Sequence, residues 1–118
     1  MAQQIHSPAE LKQLFETTPY VIIDFYADWC PPCRAIAPVF SALALKHSKE
    51  GKLAFAKVNT DKARELVEEY GITAMPSFLF FKDGQQVDFN AKSIIQGADR
   101  QALMSVVEEM SRQAQASD

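Results

Sequence analysis

The chain has 118 residues, 47% hydrophobic and 23% charged, a balance that suits one compact domain with a buried core and argues against disorder. A net charge of −3 without any basic run argues against a nucleic-acid partner. No apolar stretch reaches membrane-span length, and Met1-Ala2-Gln3-Gln4-Ile5-His6 lacks the basic-then-apolar order of a secretory signal, which points to a reducing, cytoplasmic setting.

In chain order, Ser7-Pro8-Ala9-Glu10 has the form of a capping box, with Leu11, Leu14 and Phe15 following at helical spacing and Pro19 ending the element. Val21 to Tyr26 is β-branched and aromatic on both faces except at Asp24, the pattern of a strand covered on two sides. A helix is expected from Pro31 to about Lys49, with Ile36, Val39, Phe40, Leu43 and Leu45 on its apolar face and Pro38 kinking it. Leu53 to Val58 reads as a second buried strand. Asp61 is expected to cap a short helix that buries Leu66 and Val67 and ends at Gly71. Ser77 to Phe81 is a third interior strand, and Lys82-Asp83-Gly84-Gln85 reads as a hairpin turn. A further strand falls within 86–96. Gly97 and Asp99 introduce a last helix with Leu103, Val106, Val107 and Met110 on one stripe, and the polar tail from Gln113 is expected to fray. Neither a repeat nor a linker interrupts this order, so a single domain is expected over 1–118. A right-handed crossover makes the first two interior strands parallel, and the hairpin adds antiparallel ones: a mixed sheet between helices.

The only two cysteines lie in Trp29-Cys30-Pro31-Pro32-Cys33, where the first strand meets the second helix. Two intervening residues let both sulfurs meet across one turn. At a helix start, unpaired N–H groups and the positive end of the dipole favour thiolate, the nucleophilic form. A structural disulfide over so short a loop removes little entropy from the unfolded chain. A zinc site needs two more ligands, and His6 and His47 lie at no finger-like spacing; both read as solvent-facing. The favoured reading is a redox dithiol.

Asp24, Trp29-Cys30-Pro31-Pro32-Cys33, Pro38, Ala74-Met75-Pro76-Ser77, the Phe-rich strand, Asp83-Gly84 and Gly97 together resemble the thioredoxin family, over residues 5 to 111. The resemblance implies an α/β thioredoxin fold: three α/β/α layers, with a mixed sheet of about five strands and about four helices. It implies a thiol–disulfide oxidoreductase that reduces protein disulfides, with Cys30 as exposed nucleophile and Cys33 as buried resolving thiol. Asp24, set among Val21, Ile22, Ile23 and Phe25, would have its pKa raised and would carry the Cys33 proton. Lys57 would tune Asp24 or be an ordinary surface lysine. Pro76 would follow a cis peptide bond, exposing the Met75 backbone to an extended substrate segment, while Trp29, Met75, Pro76 and Gly97 frame an apolar groove.

By the same resemblance no cofactor is bound, and electrons come from NADPH through a thioredoxin reductase. The partners are that reductase and disulfide-containing proteins, with the chain a monomer and no nucleic acid or membrane involved. A runner-up is a thioredoxin-fold binding module with weak turnover. This sequence departs from the family pattern in three places. Pro31-Pro32 replaces the usual Gly-Pro, removing an N–H near Cys30, and is expected to raise the Cys30 pKa modestly. Tyr26 stands where many thioredoxins have Trp. The segment from Gly84 to Gly97 is longer by about five residues, which reads as a longer loop.

Overall fold

Strands with residues to bury on both faces take the middle of a sheet. In the computed structural model, which describes residues 1–116, these are β2 (Tyr20–Tyr26), β3 (Leu53–Asn59) and β4 (Ser77–Lys82). β2 pairs parallel with β3 and antiparallel with β4. β1 (Ala2–Gln4) lies parallel along the outer edge of β3. On the opposite edge, β5 (Gln85–Gln86) and β6 (Ile94–Gln96) both pair antiparallel with β4. The mixed six-stranded sheet has the order β1-β3-β2-β4-β5, with β6 also beside β4. The helices are α1 (Pro8–Thr17), α2 (Pro31–His47), α3 (Arg64–Glu69) and α4 (Arg100–Ala116).

Side-chain alternation along the strands divides the core in two. Tyr20, Ile22, Phe55, Phe78 and Phe80 pack against Ile36 and Phe40 of α2 and Leu103 and Val107 of α4. On the other face, Val21, Ile23, Phe25 and Phe81 meet Leu11 and Leu14 of α1 and Leu66 of α3. This is the expected α/β/α layering. Six phenylalanines, Phe25, Phe40, Phe55, Phe78, Phe80 and Phe81, are fully buried, each worth about 2–3 kcal/mol of transfer free energy.

Local signals hold at several ends. Ser7 Oγ accepts from Glu10 N at 3.2 Å, while the Glu10 carboxylate reaches back to accept from His6 N. Gly71 ends α3 at φ +62°, and Asp83 and Gly84 turn the β4–β5 hairpin at φ +52° and +80°. Asp99 Oδ1 accepts from Ala102 N at the start of α4.

Other expectations fail. β1 was not expected: Gln3-Gln4 carries no apolar signal, and the strand exists because the edge of β3 is there to pair with it. Leu45 lies on the solvent side of α2, 74% exposed, because the core-facing arc is already filled by Ile36, Phe40, Leu43 and Ala44. Asp61 does not cap α3; the cap position falls on Ala63, without a side-chain hydrogen bond. The tail expected to fray from Gln113 stays helical through Ala116, with Ala114 buried against the α2–α4 side of the core; the rest of that expectation lies outside the described residues. His47 is not simply solvent-facing: its Nδ1 lies 3.2 Å from Ser111 Oγ, bridging α2 to α4. In the longer segment, Phe89 is 4% exposed and packs on Tyr20 and Phe80, so the loop is pinned to the core.

Candidate active site

The carboxyl end of β2 delivers the chain to the head of α2, and Cys30 occupies the N-cap with Pro31 as the first helical residue. The two sulfurs are bonded as a disulfide across a Cα–Cα separation of 5.2 Å. Cys30 Sγ accepts from Cys33 N at 3.3 Å, so one of the helix's unpaired N–H groups points at this sulfur. Pro31 and Pro32 have no N–H to offer, which leaves the Cys33 amide as the first donor of the turn. The expected contrast in exposure is absent in this disulfide form: Cys30 and Cys33 are each 4% exposed. The ring is covered because Ala27, half-buried Tyr26 and Met75 pack around it.

The β3–α3 loop forms one wall. Trp29 is 63% exposed, and its Nε1 donates to Asp61 Oδ2 at 2.8 Å. Thr60 is anchored through its N–H to Tyr26 O, and its hydroxyl donates to the Met75 sulfur at 2.8 Å. The Arg34 guanidinium donates to Asp28 O at 2.9 Å, bracing the turn that carries Trp29. Thr60 and Arg34 are not singled out by the sequence, and Asp61 reads there only as a helix cap, because each acts through a contact that spacing does not encode.

The opposite wall is the turn before β4. The Met75–Pro76 peptide is cis, as expected, and Met75 O lies 3.7 Å from Cys30 Sγ. Gly97 N donates to Pro76 O at 2.8 Å. Gly97 adopts φ +92°, and a Cβ there would meet nothing within 4 Å, so its glycine serves the backbone conformation rather than space. Trp29, Met75, Pro76 and Gly97 are thus gathered around the cysteine pair.

Beneath α2, Asp24 is 1% exposed, and its Oδ1 has no hydrogen-bond partner. Burial pushes its carboxyl from 3.8 up to about 7, against a smaller downward pull from the Lys57 ammonium. Lys57 is in register with Asp24 on β3, half-buried, with its Nζ 4.4 Å from the Tyr26 ring centroid. Among the described residues no group of three His, Cys, Asp or Glu side chains is arranged to hold a metal, and no helix is long and apolar enough to cross a membrane.

A helix-capping cysteine pair that opens and closes, with a neutralisable acid under the helix, can exchange electrons with another disulfide. Comparison with known proteins agrees. The family model described as Thioredoxin matches residues 3–109. A "Thioredoxin-like protein" of Fusarium culmorum is 50% identical over 115 residues, covering 98% of this chain and 95% of the relative. A "Thioredoxin" of Neurospora crassa is 47% identical, covering 95% and 88%. Among solved structures, thioredoxin of Malassezia sympodialis superposes with TM-score 0.79 at 36% identity, over 94% of this chain and 91% of that one. Plasmodium falciparum thioredoxin gives TM-score 0.79 at 34% identity, over 91% and 97%.

Proposed function

Because the chain belongs to the thioredoxin family, we propose that its protein-disulfide reductase activity runs with Cys30 as the attacking thiol, Cys33 as the resolving thiol and Asp24 as the proton carrier. The activity class, thiol–disulfide oxidoreduction through a redox-active pair, follows from the family and from the bonded sulfurs.

The observation that carries the reading is the placement of the pair: Cys30 caps α2 beside exposed Trp29 and the Met75 carbonyl, while Cys33 lies one turn into the helix. In the reduced protein, Cys30 thiolate attacks one sulfur of a target disulfide. The Cys30–target bond forms, and the target's other sulfur leaves as thiolate and takes a proton. Asp24 carboxylate then accepts the Cys33 proton, and Cys33 attacks Cys30 Sγ. The mixed disulfide breaks, the second target thiolate leaves, and two electrons have passed to the target. A carboxyl that titrates near 7 can hold or release that proton under working conditions.

Trp29, Met75, Pro76 and Gly97 form the groove for the target, with an extended segment hydrogen-bonding to the backbone at Met75. The oxidised protein is recharged by an NADPH-dependent thioredoxin reductase. It works as a monomer in the cytoplasm, binding no cofactor of its own. Turbidimetric insulin reduction with dithiothreitol tests the reading: the wild type accelerates precipitation, and Cys30→Ser and Cys33→Ser each abolish the acceleration. Acceleration that survives either substitution refutes the assignment.

A further inference from the structure

Gln4, Lys57, Asp24 and Phe78 form one lateral row across four adjacent strands, each in register with the next. Alternation places Lys57 two residues beyond Phe55, and Asp24 two beyond Ile22, on the side of the sheet that packs against α2 and α4. Tyr26 follows on that same side of β2. Its hydroxyl accepts a 2.8 Å hydrogen bond from Gln4 Nε2, and Gln4 belongs to β1, two strands away across β3. To make that bond the ring leans across β3, over Lys57. The Lys57 ammonium is found there, 4.4 Å from the ring centroid.

Asp24 is the lateral neighbour of Lys57, yet among the described residues no ion pair joins them, and Asp24 Oδ1 is left without a hydrogen bond. We propose that Tyr26 is a positioning residue: anchored by Gln4, its ring stations the Lys57 ammonium off the Asp24 carboxyl, leaving that carboxyl free to exchange the Cys33 proton. The inference rests on the role given to Asp24 above. Its physical basis is that an ammonium paired directly with a carboxylate holds it ionised and makes it a poor proton carrier. Among the described residues, Lys57 is the one charged group acting on Asp24. Laterally, β3 sets Lys57 beside Asp24 and β4 the apolar Phe78; on that side of the sheet α2 and α4 contribute apolar residues such as Ile36, Phe40, Leu103 and Val106 to the core.

Carboxyl NMR titration of Asp24 in the oxidised protein tests this in wild type, Tyr26→Leu, Lys57→Met and the double variant. In Tyr26→Leu the freed ammonium pairs with Asp24, and the proton affinity of Asp24 falls at least about tenfold. In the double variant Asp24 titrates as in Lys57→Met alone. Gln4→Leu, at an exposed position, removes only the anchor and moves Asp24 the same way by less, which keeps the test valid if Tyr26→Leu does not fold. An unmoved or upward-moving titration in Tyr26→Leu and Gln4→Leu overturns the proposal, as does a shift that persists without Lys57. Asp24→Asn, assayed in parallel for insulin reduction, reports separately on the proton-carrier role: unimpaired turnover there would remove that role whatever the titrations show.

Discussion

The indole Nε1 of Trp29 donates a 2.8 Å hydrogen bond to the carboxylate of Asp61, tying the residue before the first cysteine to the loop that follows β3. The indole is otherwise largely in solvent, so this bond is what ties it to the β3–α3 loop. Asp61→Ala is expected to release the ring and raise KM for a protein disulfide by about fivefold, the equivalent of roughly 1 kcal/mol. Trp29 is the single tryptophan of the chain, so its fluorescence reports the release directly. An unchanged emission spectrum and KM would show that the bond does not hold the wall.

Pro31 withholds an N–H from the turn that faces Cys30, and the Cys33 amide at 3.3 Å stands as the available donor. Pro31→Gly restores a donor and stabilises the Cys30 thiolate. Its iodoacetamide alkylation profile in the reduced protein is expected to move to lower pH relative to wild type. Superimposable profiles would remove Pro31 from any role in tuning the nucleophile.

Asp24 is buried with its carboxyl raised from 3.8 to about 7, and this makes stability depend on pH. Between those values the unfolded chain has already lost the proton that the folded chain retains. Folding stability is therefore fully present below about pH 4 and declines as pH rises to about 7. Asp24→Asn removes that slope. By urea denaturation of the oxidised protein at pH 8, the variant is expected to be more stable than wild type by a margin on the order of 4 kcal/mol. At pH 4 the two differ little. Equal stabilities at pH 8 would mean the carboxylate is not buried at that cost.

Much of this arrangement is legible in the sequence, and the boundary is physical. Interior strands announce themselves when both faces are apolar, as in Val21–Phe25 and Ser77–Phe81, and the Asp83-Gly84 turn follows from the cost of positive φ. The Cys30–Cys33 pair follows from motif spacing, whereas Trp29, Met75, Pro76 and Gly97 come only through the family resemblance. What escaped depends on tertiary neighbours. Gln3 and Gln4 form a strand only because β3 offers an edge. Leu45 fits the helical period, but the core-facing arc was already full. Asp61 looks like a cap locally and instead serves Trp29, 32 residues away in the chain. Tyr26 was visible as a departure from the family, but its reach to Gln4 across β3 was not.

The segment between β5 and β6 is held by Phe89, whose ring meets Phe80 edge-on at 6.1 Å and Tyr20 at 6.4 Å. Phe89→Ala leaves a cavity on the α2–α4 side of the core. It is expected to cost about 3 kcal/mol in chemical denaturation while leaving insulin reduction at 25 °C near the wild-type rate. A loss below 0.5 kcal/mol, by the usual scale of surface substitutions, would make the loop a surface appendage.

The most direct measurement is covalent trapping. Reduced Cys33→Ser and Cys30→Ser proteins are incubated with a disulfide-bonded protein, quenched in acid and analysed by non-reducing mass spectrometry. Cys33→Ser should accumulate a one-to-one mixed disulfide through Cys30 that the wild type resolves, and Cys30→Ser should form little adduct. Equal adducts on both cysteines, or an adduct on Cys33 alone, would contradict the division of labour between the two thiols.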